Sequence, residues 1–287
     1  MHRRDFIIPA ALALLFSPGL VYGKNIFRQQ HKKRMKLTLI RHATLLVELA
    51  GKKILVDPML SPAGAMDPVQ QASNNLRIPM TPLPFDNASL ERLILEVDAV
   101  LVTHTHRDHW DEEAQKRIPK HHLLFCQPAD EEKIKAQDFT QVQAIADTFT
   151  WGKLTISRVG GQHGTGEIGK KMGPVSGFVL QAMEQRLYIA GDSIWCEEVR
   201  QTLTAYQPNV VVVNAGAAQF LQGGPITMTA VDVQQVIQAA PASRVVAVHM
   251  DNVNHCLLTR EALRGFLTDR KLNDRCLVPA DGDSLTF

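Results

Sequence analysis

Residues Thr103–Asp111 read THTHRDHWD and follow directly on the apolar run Ala99–Thr103, AVLVT. Three of the chain's 11 histidines, His104, His106 and His109, fall in this one stretch, beside Asp108 and Asp111. The apolar run reads as a buried strand, so the histidines begin where a strand ends. On an extended backbone side chains alternate between faces, which puts His104 and His106 on the same side. Asp108 and His109 come where the strand breaks into a turn. Imidazoles and carboxylates together are the ligand set for zinc and similar divalent ions. The plain alternative is a polar loop that happens to hold histidines, and it must collect three of them by chance within a few positions. The cysteines do not compete for this role. Cys126, Cys196, Cys256 and Cys276 are widely spread and form no CxxC pair, which excludes a zinc ribbon and a disulfide scaffold. A metal in this chain has to be held by His and Asp.

The 287 residues suffice for one large domain or two small ones, and a net charge of +2 argues against a nucleic-acid partner held by a broad basic surface. The N-terminus stands apart. MHRRDF is basic, and IIPAALALLFSPGLVYG is apolar and ends in small residues, with Val21 and Gly23 at the positions a signal peptidase prefers. Residues 1–23 therefore read as a secretory signal, and Arg3-Arg4-Asp5-Phe6 resembles the twin-arginine export motif. Pro9 and Pro18 interrupt the apolar run, which is short for a membrane span. Residues 24–35 read as a linker. Use of the signal sends the protein to the periplasm or outside the cell. Initiation at Met35 leaves it in the cytoplasm.

From Lys36 the pattern alternates. KLTLIRH, TLLVELA and KILVDP form a strand meander closed by Asp57 and Pro58. Residues 58–88 have no period and read as a long loop of the kind that lines a site. Helices are expected over Asn87–Val97, over Asp111–Arg117 with Asp111 near the cap, over Pro128–Gln137 and over Ile194–Gln201. Further helices are expected over Thr229–Ala239 and Arg260–Thr268. SGFVLQAM and QRLYIAGDS read as a hairpin-like pair. NVVVVNAG, wholly apolar, reads as a strand covered on both faces. Each half gives strands and then covering helices. The economical architecture is a four-layer αββα sandwich of two mixed β-sheets over 36–287.

Four segments share one feature. THTHRDH, GGQHG around His163, AGDS around Asp192 and AVHMD around His249 each stand at the C-terminal end of an apolar strand. Strand ends on one edge of a sandwich can converge on one cleft. A lone histidine at a strand end is more often a satisfied surface or core residue than a ligand. Four such ends in one chain, one of them THTHRDH, reverse that balance.

On these residues the chain resembles the metallo-β-lactamase superfamily, whose HxHxDH signature is present as His104, His106, Asp108 and His109, with His163, Asp192 and His249 following in the family's order. The opening LIRHATLLVELAGKKILVDP and the HTHRDHWD wording are similar to the ascorbate-6-phosphate lactonase-like branch. The resemblance implies two metal ions, zinc by default and manganese as the alternative. His104, His106 and His163 would hold one ion, Asp108, His109 and His249 the other, and Asp192 would bridge them. It further implies a hydrolase in which a metal-bridging hydroxide cleaves an ester-like bond: a lactone, a carboxylic ester or a phosphodiester. Asp108 could also orient the nucleophile or take its proton. The superfamily also contains mono-iron dioxygenases with the same signature, so an oxidoreductase is the alternative. The partner expected is a small-molecule substrate.

Other residues carry two readings each. Asp57 matches a family aspartate that supports a ligand histidine, or it is a strand-end turn former. His42 resembles a family position close to the metals, or it is a turn residue. His255 and Asp251 could protonate a leaving group, or they belong to a solvated loop. Trp110 reads as core, His121 and His122 as surface, and Gln219–Met228 as a lip facing substrate.

Overall fold

Strand direction decides where the site can lie. The computed structural model describes residues 34–287. The signal over 1–23 and the linker up to residue 33 lie outside the described residues. β1 (Lys36–Arg41), β2 (Thr44–Leu49) and β3 (Lys52–Val56) form an antiparallel meander. The chain then changes habit. It crosses through α1 (Asn87–Glu96) to β4 (Ala99–Val102), through α2 (Glu112–Arg117) to β5 (Leu123–Cys126), and through α3 (Glu131–Lys135) to β6 (Gln141–Ala144), each new strand parallel to the last.

The second sheet repeats the scheme. β7 (Thr148–Trp151), β8 (Leu154–Val159), β9 (Gly177–Ala182) and β10 (Gln185–Ile189) are antiparallel, with α4 (Gly166–Met172) between β8 and β9. Crossovers through α5 (Glu197–Tyr206), α6 (Ala230–Ala239) and α7 (Arg260–Asp269) then add β11 (Val210–Asn214), β12 (Arg244–Val248) and β13 (Cys276–Leu277) in parallel. β14 (Ser284–Thr286) returns to pair with β1. The strand orders are β14-β1-β2-β3-β4-β5-β6 and β13-β12-β11-β10-β9-β8-β7.

Burial explains the four layers. Leu37, Leu39, Leu45 and Val47 of the first sheet meet Phe178, Leu180, Val210 and Val212 of the second in one apolar cluster. The outer face of the first sheet packs on α1, α2 and α3 through Leu90, Ala114 and Ile134, and that of the second on α5, α6 and α7 through Leu203, Val236 and Leu267. β11 is buried along its whole length, as its unbroken apolar sequence requires. The helices start where side chains cap them. Asp86 accepts from Ser89 N, Asp111 from Ala114 N and Thr259 from Ala262 N, and Thr229 forms a capping box with Asp232. The two mixed sheets flanked by helices are the architecture expected from the sequence.

Local differences have local causes. The helix expected over Pro128–Gln137 is a 3-10 turn at Pro128–Asp130 followed by the short α3, because Asp130, at φ −104° and ψ −5°, breaks the helical run. The helix expected from Ile194 starts at Glu197. β6, β7 and α4 carry no readable signal. β6 and β7 are short edge strands with no fully buried residue, and α4 buries none either.

β1, β3 and β4 run in one direction in their sheet, and β8, β10, β11 and β12 in one direction in theirs. The two sets of C-terminal ends meet at one edge, where His249 N donates to His42 O at 2.8 Å across the sandwich. Among the described residues no helix is long and apolar enough to cross a membrane. Leu101, fully buried between the sheets, supports this frame away from the edge. Leu101→Ala should cost about 2–5 kcal/mol in urea unfolding. A loss below about 1 kcal/mol contradicts a close-packed inter-sheet core there.

Candidate metal centre

At the end of β3, Asp57 takes a left-handed backbone (φ 45°) that turns its buried carboxylate toward β4. Oδ1 accepts from Thr103 N at 2.7 Å, and Oδ2 accepts from Thr103 Oγ1 at 2.8 Å and His109 Nδ1 at 2.9 Å. Since the Thr103 hydroxyl donates to Asp57, its oxygen must accept the 3.1 Å contact from His104 Nδ1. Both His104 and His109 therefore carry their proton on Nδ1 toward the Asp57 side and point Nε2 into the cleft. His163, after β8, is fixed in the same way: its Nδ1 donates to Ile226 O at 2.8 Å. Asp192 follows β10 through Gly191, whose φ of 65° and 2.8 Å clearance between an added Cβ and Ser176 O leave no room for a side chain. Asn214, the last residue of β11, donates to Asp192 Oδ1 at 2.6 Å. His249 follows β12, also left-handed (φ 67°), with Nδ1 3.6 Å from Cys256 Sγ.

The inward atoms fall into groups that could each hold an ion. His104 Nε2 and His163 Nε2 lie 3.1 and 3.3 Å from His106 Nδ1. His109 Nε2 lies 3.2 Å from His249 Nε2, and Asp108 Oδ2 lies 3.7 and 3.4 Å from these two nitrogens. Asp192 stands between the groups. Its Oδ2 is 3.8 Å from His104, 3.6 Å from His163 and 3.2 Å from His109, and its Oδ1 is 3.2 Å from His249. The donor set fits a cation. Two nitrogens on one tetrahedral zinc, each about 2.0–2.1 Å from it, stand about 3.3 Å apart. His104 Nε2 and His163 Nε2 both turn a lone pair to His106 Nδ1 at 3.1–3.3 Å, and a single N–H there can satisfy only one of them, whereas a cation between the three satisfies all. Among the described residues, the groups able to hold an ion are His104, His106 and His163; His104, His109 and Asp192; and His42, Asp108, His109 and His249.

The same residues lie within a family match. The sequence from 36 to 249 matches the beta-lactamase superfamily domain. The chain belongs to the beta-lactamase superfamily. Its relatives within the superfamily include the UPF0173 protein YddR of Bacillus subtilis, 37% identical over 257 residues that span 88% of this chain and all of that protein. More distant relatives are described as UPF0173 metal-dependent hydrolases. Among solved structures it is similar to an isothiocyanate hydrolase from Delia radicum gut bacteria, at 40% identity and a TM-score of 0.84, covering 88% of this chain and 99% of that one. It is also similar to a possible metal-dependent hydrolase from Veillonella parvula, at 32% identity and a TM-score of 0.85, covering 88% of this chain and 100% of that one. The chain is a member of a metal-dependent hydrolase family on the metallo-β-lactamase fold.

Charge in this superfamily member's cleft is already arranged for cations. Burial raises the pKa of Asp108 and Asp192, but the neighbouring imidazoles, His109 foremost, outweigh it and hold both well below the carboxylate range. Burial lowers His109, yet Asp192, Asp108 and Asp57 push it up to about 10. His249 is likewise raised well above its usual value, Asp192 and Cys256 overriding burial. His104 and His163 are lowered by burial and by neighbouring histidines, and stay neutral. Positive charge held between His109 and His249, whose Nε2 atoms stand 3.2 Å apart, thus faces two carboxylates where a divalent ion would take over the balance.

The remaining expected residues divide. His42 (φ 60°) is fully buried. Its ring lies 3.7 Å from that of His249, and Nε2 is 3.2 Å from Asp108 Oδ2. Nδ1 is buried without a partner, so the ring proton belongs on Nε2, donating to Asp108. Burial, then His249, push its pKa down to about 3, which keeps the ring neutral. Asp251 turns away and pairs with Arg260 at 3.5 Å. His255 is buried, not in a solvated loop, and lines a cavity of about 210 Å³ over the donor cluster. Burial brings its pKa to about 4. The cavity's other walls are Val69, Met172, Phe220 and Ile226, with Arg107 at the side. Trp110 is core, its Nε1 donating to Gln137, and His121 is exposed while His122 contacts Ile94 O at 2.9 Å. Asn214 is the supporting residue that sequence reading missed. Its position at the end of a parallel strand beside β10 was the available signal.

Two outcomes follow for the ion-free protein. Because the neighbouring carboxylates raise His109, to about 10, and His249, ion binding at Nε2 must expel a proton, so affinity should weaken as pH falls and strengthen toward pH about 10. Calorimetry in two buffers of different ionisation heat should report proton release, and identical heats contradict it. Asp57→Asn should weaken zinc binding about 10–100-fold in a chelator competition, through loosened His104 and His109, although Asp57 faces no ion itself. Unchanged affinity contradicts this.

Proposed function

We propose that the chain is a two-ion hydrolase acting on a small, uncharged carbon electrophile: the carbonyl of a lactone or carboxylic ester, or the central carbon of an isothiocyanate. The observation that carries this reading is the cavity, whose floor is the donor cluster and whose walls Val69, Met172, Phe220 and Ile226 are apolar. At about 210 Å³ it suits a single small substituent. The isothiocyanate hydrolase similar to this chain at 40% identity supports the same substrate class. His104, His106 and His163 would hold one ion, Asp108, His109 and His249 the second, and Asp192 both. Zinc suits this imidazole-rich set, and manganese suits its carboxylates. Ions there would supply Lewis acidity to the electrophile and acidify water between them.

The chain's own residues do the rest. Asp108 lines the cavity and is oriented by the His42 N–H, which suits it to take the proton that water loses on adding to carbon. The apolar walls orient the substituent and keep bulk water from the reacting carbon. A phosphodiester, the third bond expected, would meet little positive charge from side chains in this cavity. Among the described residues Arg107 is the single lysine or arginine lining the cavity, and its guanidinium already donates to Asp67 O at 2.7 Å. The donor groups at two positions joined by Asp192 support two ions, and nothing in the cavity favours the mono-iron oxidoreductase.

A panel of phenethyl isothiocyanate, a hexanoyl-type lactone, p-nitrophenyl butyrate and bis-p-nitrophenyl phosphate tests this with zinc-loaded protein. At least one neutral carbon substrate should exceed the phosphodiester in kcat/KM by about 100-fold. The double variant His104→Ala, His106→Ala should fall to the uncatalysed rate while staying folded. Preference for the phosphodiester refutes the substrate class, and full activity of the double variant refutes the metal site.

A further inference from the structure

The cavity contains one buried polar ring that neither the donor groups nor the fold uses. His255 is 7% exposed. Its Nδ1 is sealed from solvent without a hydrogen-bond partner, so the proton of the neutral ring belongs on Nε2, and no described residue accepts from it although the ring lines the cavity. The ring rests on Phe220, centroids 5.5 Å apart at 31°. A donor on a buried cavity wall that the fold leaves without an acceptor can find one only in an occupant of that cavity.

The backbone around His255 is held firmly. On one side, fully buried Asn254 clamps the long loop after β3: Oδ1 accepts from Val69 N at 2.9 Å, and Nδ2 donates to Val69 O at 3.1 Å and Asn74 O at 2.8 Å. On the other, Cys256 bridges to Ala218, and His255 O accepts from Gln219 N at 2.9 Å. The Phe220 loop is tied to the long loop in turn, since Leu221 N donates to Gln71 O at 2.7 Å. Three segments remote in sequence thus hold one imidazole over the apolar cup.

We infer that His255 is a substrate-binding residue, which donates a ring N–H to the heteroatom of the electrophile that gathers negative charge as water adds to its carbon. This rests on the hydrolase reading above. The donor set on the cavity floor would meet the substrate from one side and His255 from the other. A fixed neutral donor needs no reorganisation as charge develops, which is the condition under which such groups raise kcat rather than lower KM. The partner is then the oxygen of a carbonyl, or the nitrogen or sulfur of a heterocumulene.

His255→Phe keeps the ring on Phe220 and removes the donor; His255→Gln restores an N–H near the Nε2 position. With two zinc ions retained, His255→Phe should lose about 100-fold in kcat with KM little changed, and His255→Gln should regain at least about tenfold of that loss. Phenylthiourea, a neutral thiocarbonyl probe that is not turned over, should bind zinc-loaded wild type at least about tenfold more tightly than His255→Phe by calorimetry. Equal kcat in wild type and His255→Phe, equal phenylthiourea affinity, or equal loss in both variants with falling melting temperature overturns the inference. If wild type turns over no substrate, the hydrolase reading fails, and the thiourea comparison still decides the role of His255.

Discussion

One buried carboxylate sets the orientation of both halves of the centre. Asp57 accepts three hydrogen bonds, two from Thr103 and one from His109, and through the Thr103 hydroxyl it also fixes His104. His104 belongs to one donor group and His109 to the next. A carboxylate at that point can be satisfied only if β3 and β4 run side by side in parallel, which they do, with Val56 opposite Leu101. The left-handed turn at Asp57 follows from the same need, because an extended residue there would continue the strand and point the carboxylate away.

The surrounding sandwich makes such a cluster tolerable. Six imidazoles, His42 among them, and two carboxylates lie together at one edge, and all but His106 are buried. Buried polar groups cost free energy unless they are paired, and here each outward nitrogen of His104, His109 and His163 has its partner in Thr103, Asp57 or the Ile226 carbonyl. Their remaining nitrogens point inward. The fold therefore spends its hydrogen bonds on orientation and leaves lone pairs facing a shared point, which is the arrangement a cation requires. The apolar cluster between the sheets and the two outside them supply the stability that offsets this.

Much of this was legible in the sequence, and the limits have physical reasons. The wholly apolar NVVVVN run and the alternation of KLTLIR and TLLVEL announced buried and half-buried strands, and the order of THTHRDH, His163, Asp192 and His249 at strand ends pointed to one edge. Parallel direction brings such ends together whatever the intervening sequence. By contrast, His255 carried two readings, a residue facing the site or part of a solvated loop, because the segments that enclose it, around Val69 and Phe220, are remote from it in the chain. Asp251, its neighbour in the same reading, was claimed by Arg260 of α7. Asn214 read only as the end of a strand. The edge strands β6 and β7 escaped notice because half-exposed four-residue strands carry little periodicity.

The central claim is that residues from both sheets gather round two ions joined by Asp192. Anomalous diffraction from crystals of the zinc-loaded protein, recorded on either side of the zinc edge, tests it most directly. Two peaks are expected, one among His104, His106 and His163 and one among Asp108, His109 and His249, each within bonding distance of Asp192. A single peak, or peaks only at the molecular surface, contradicts it.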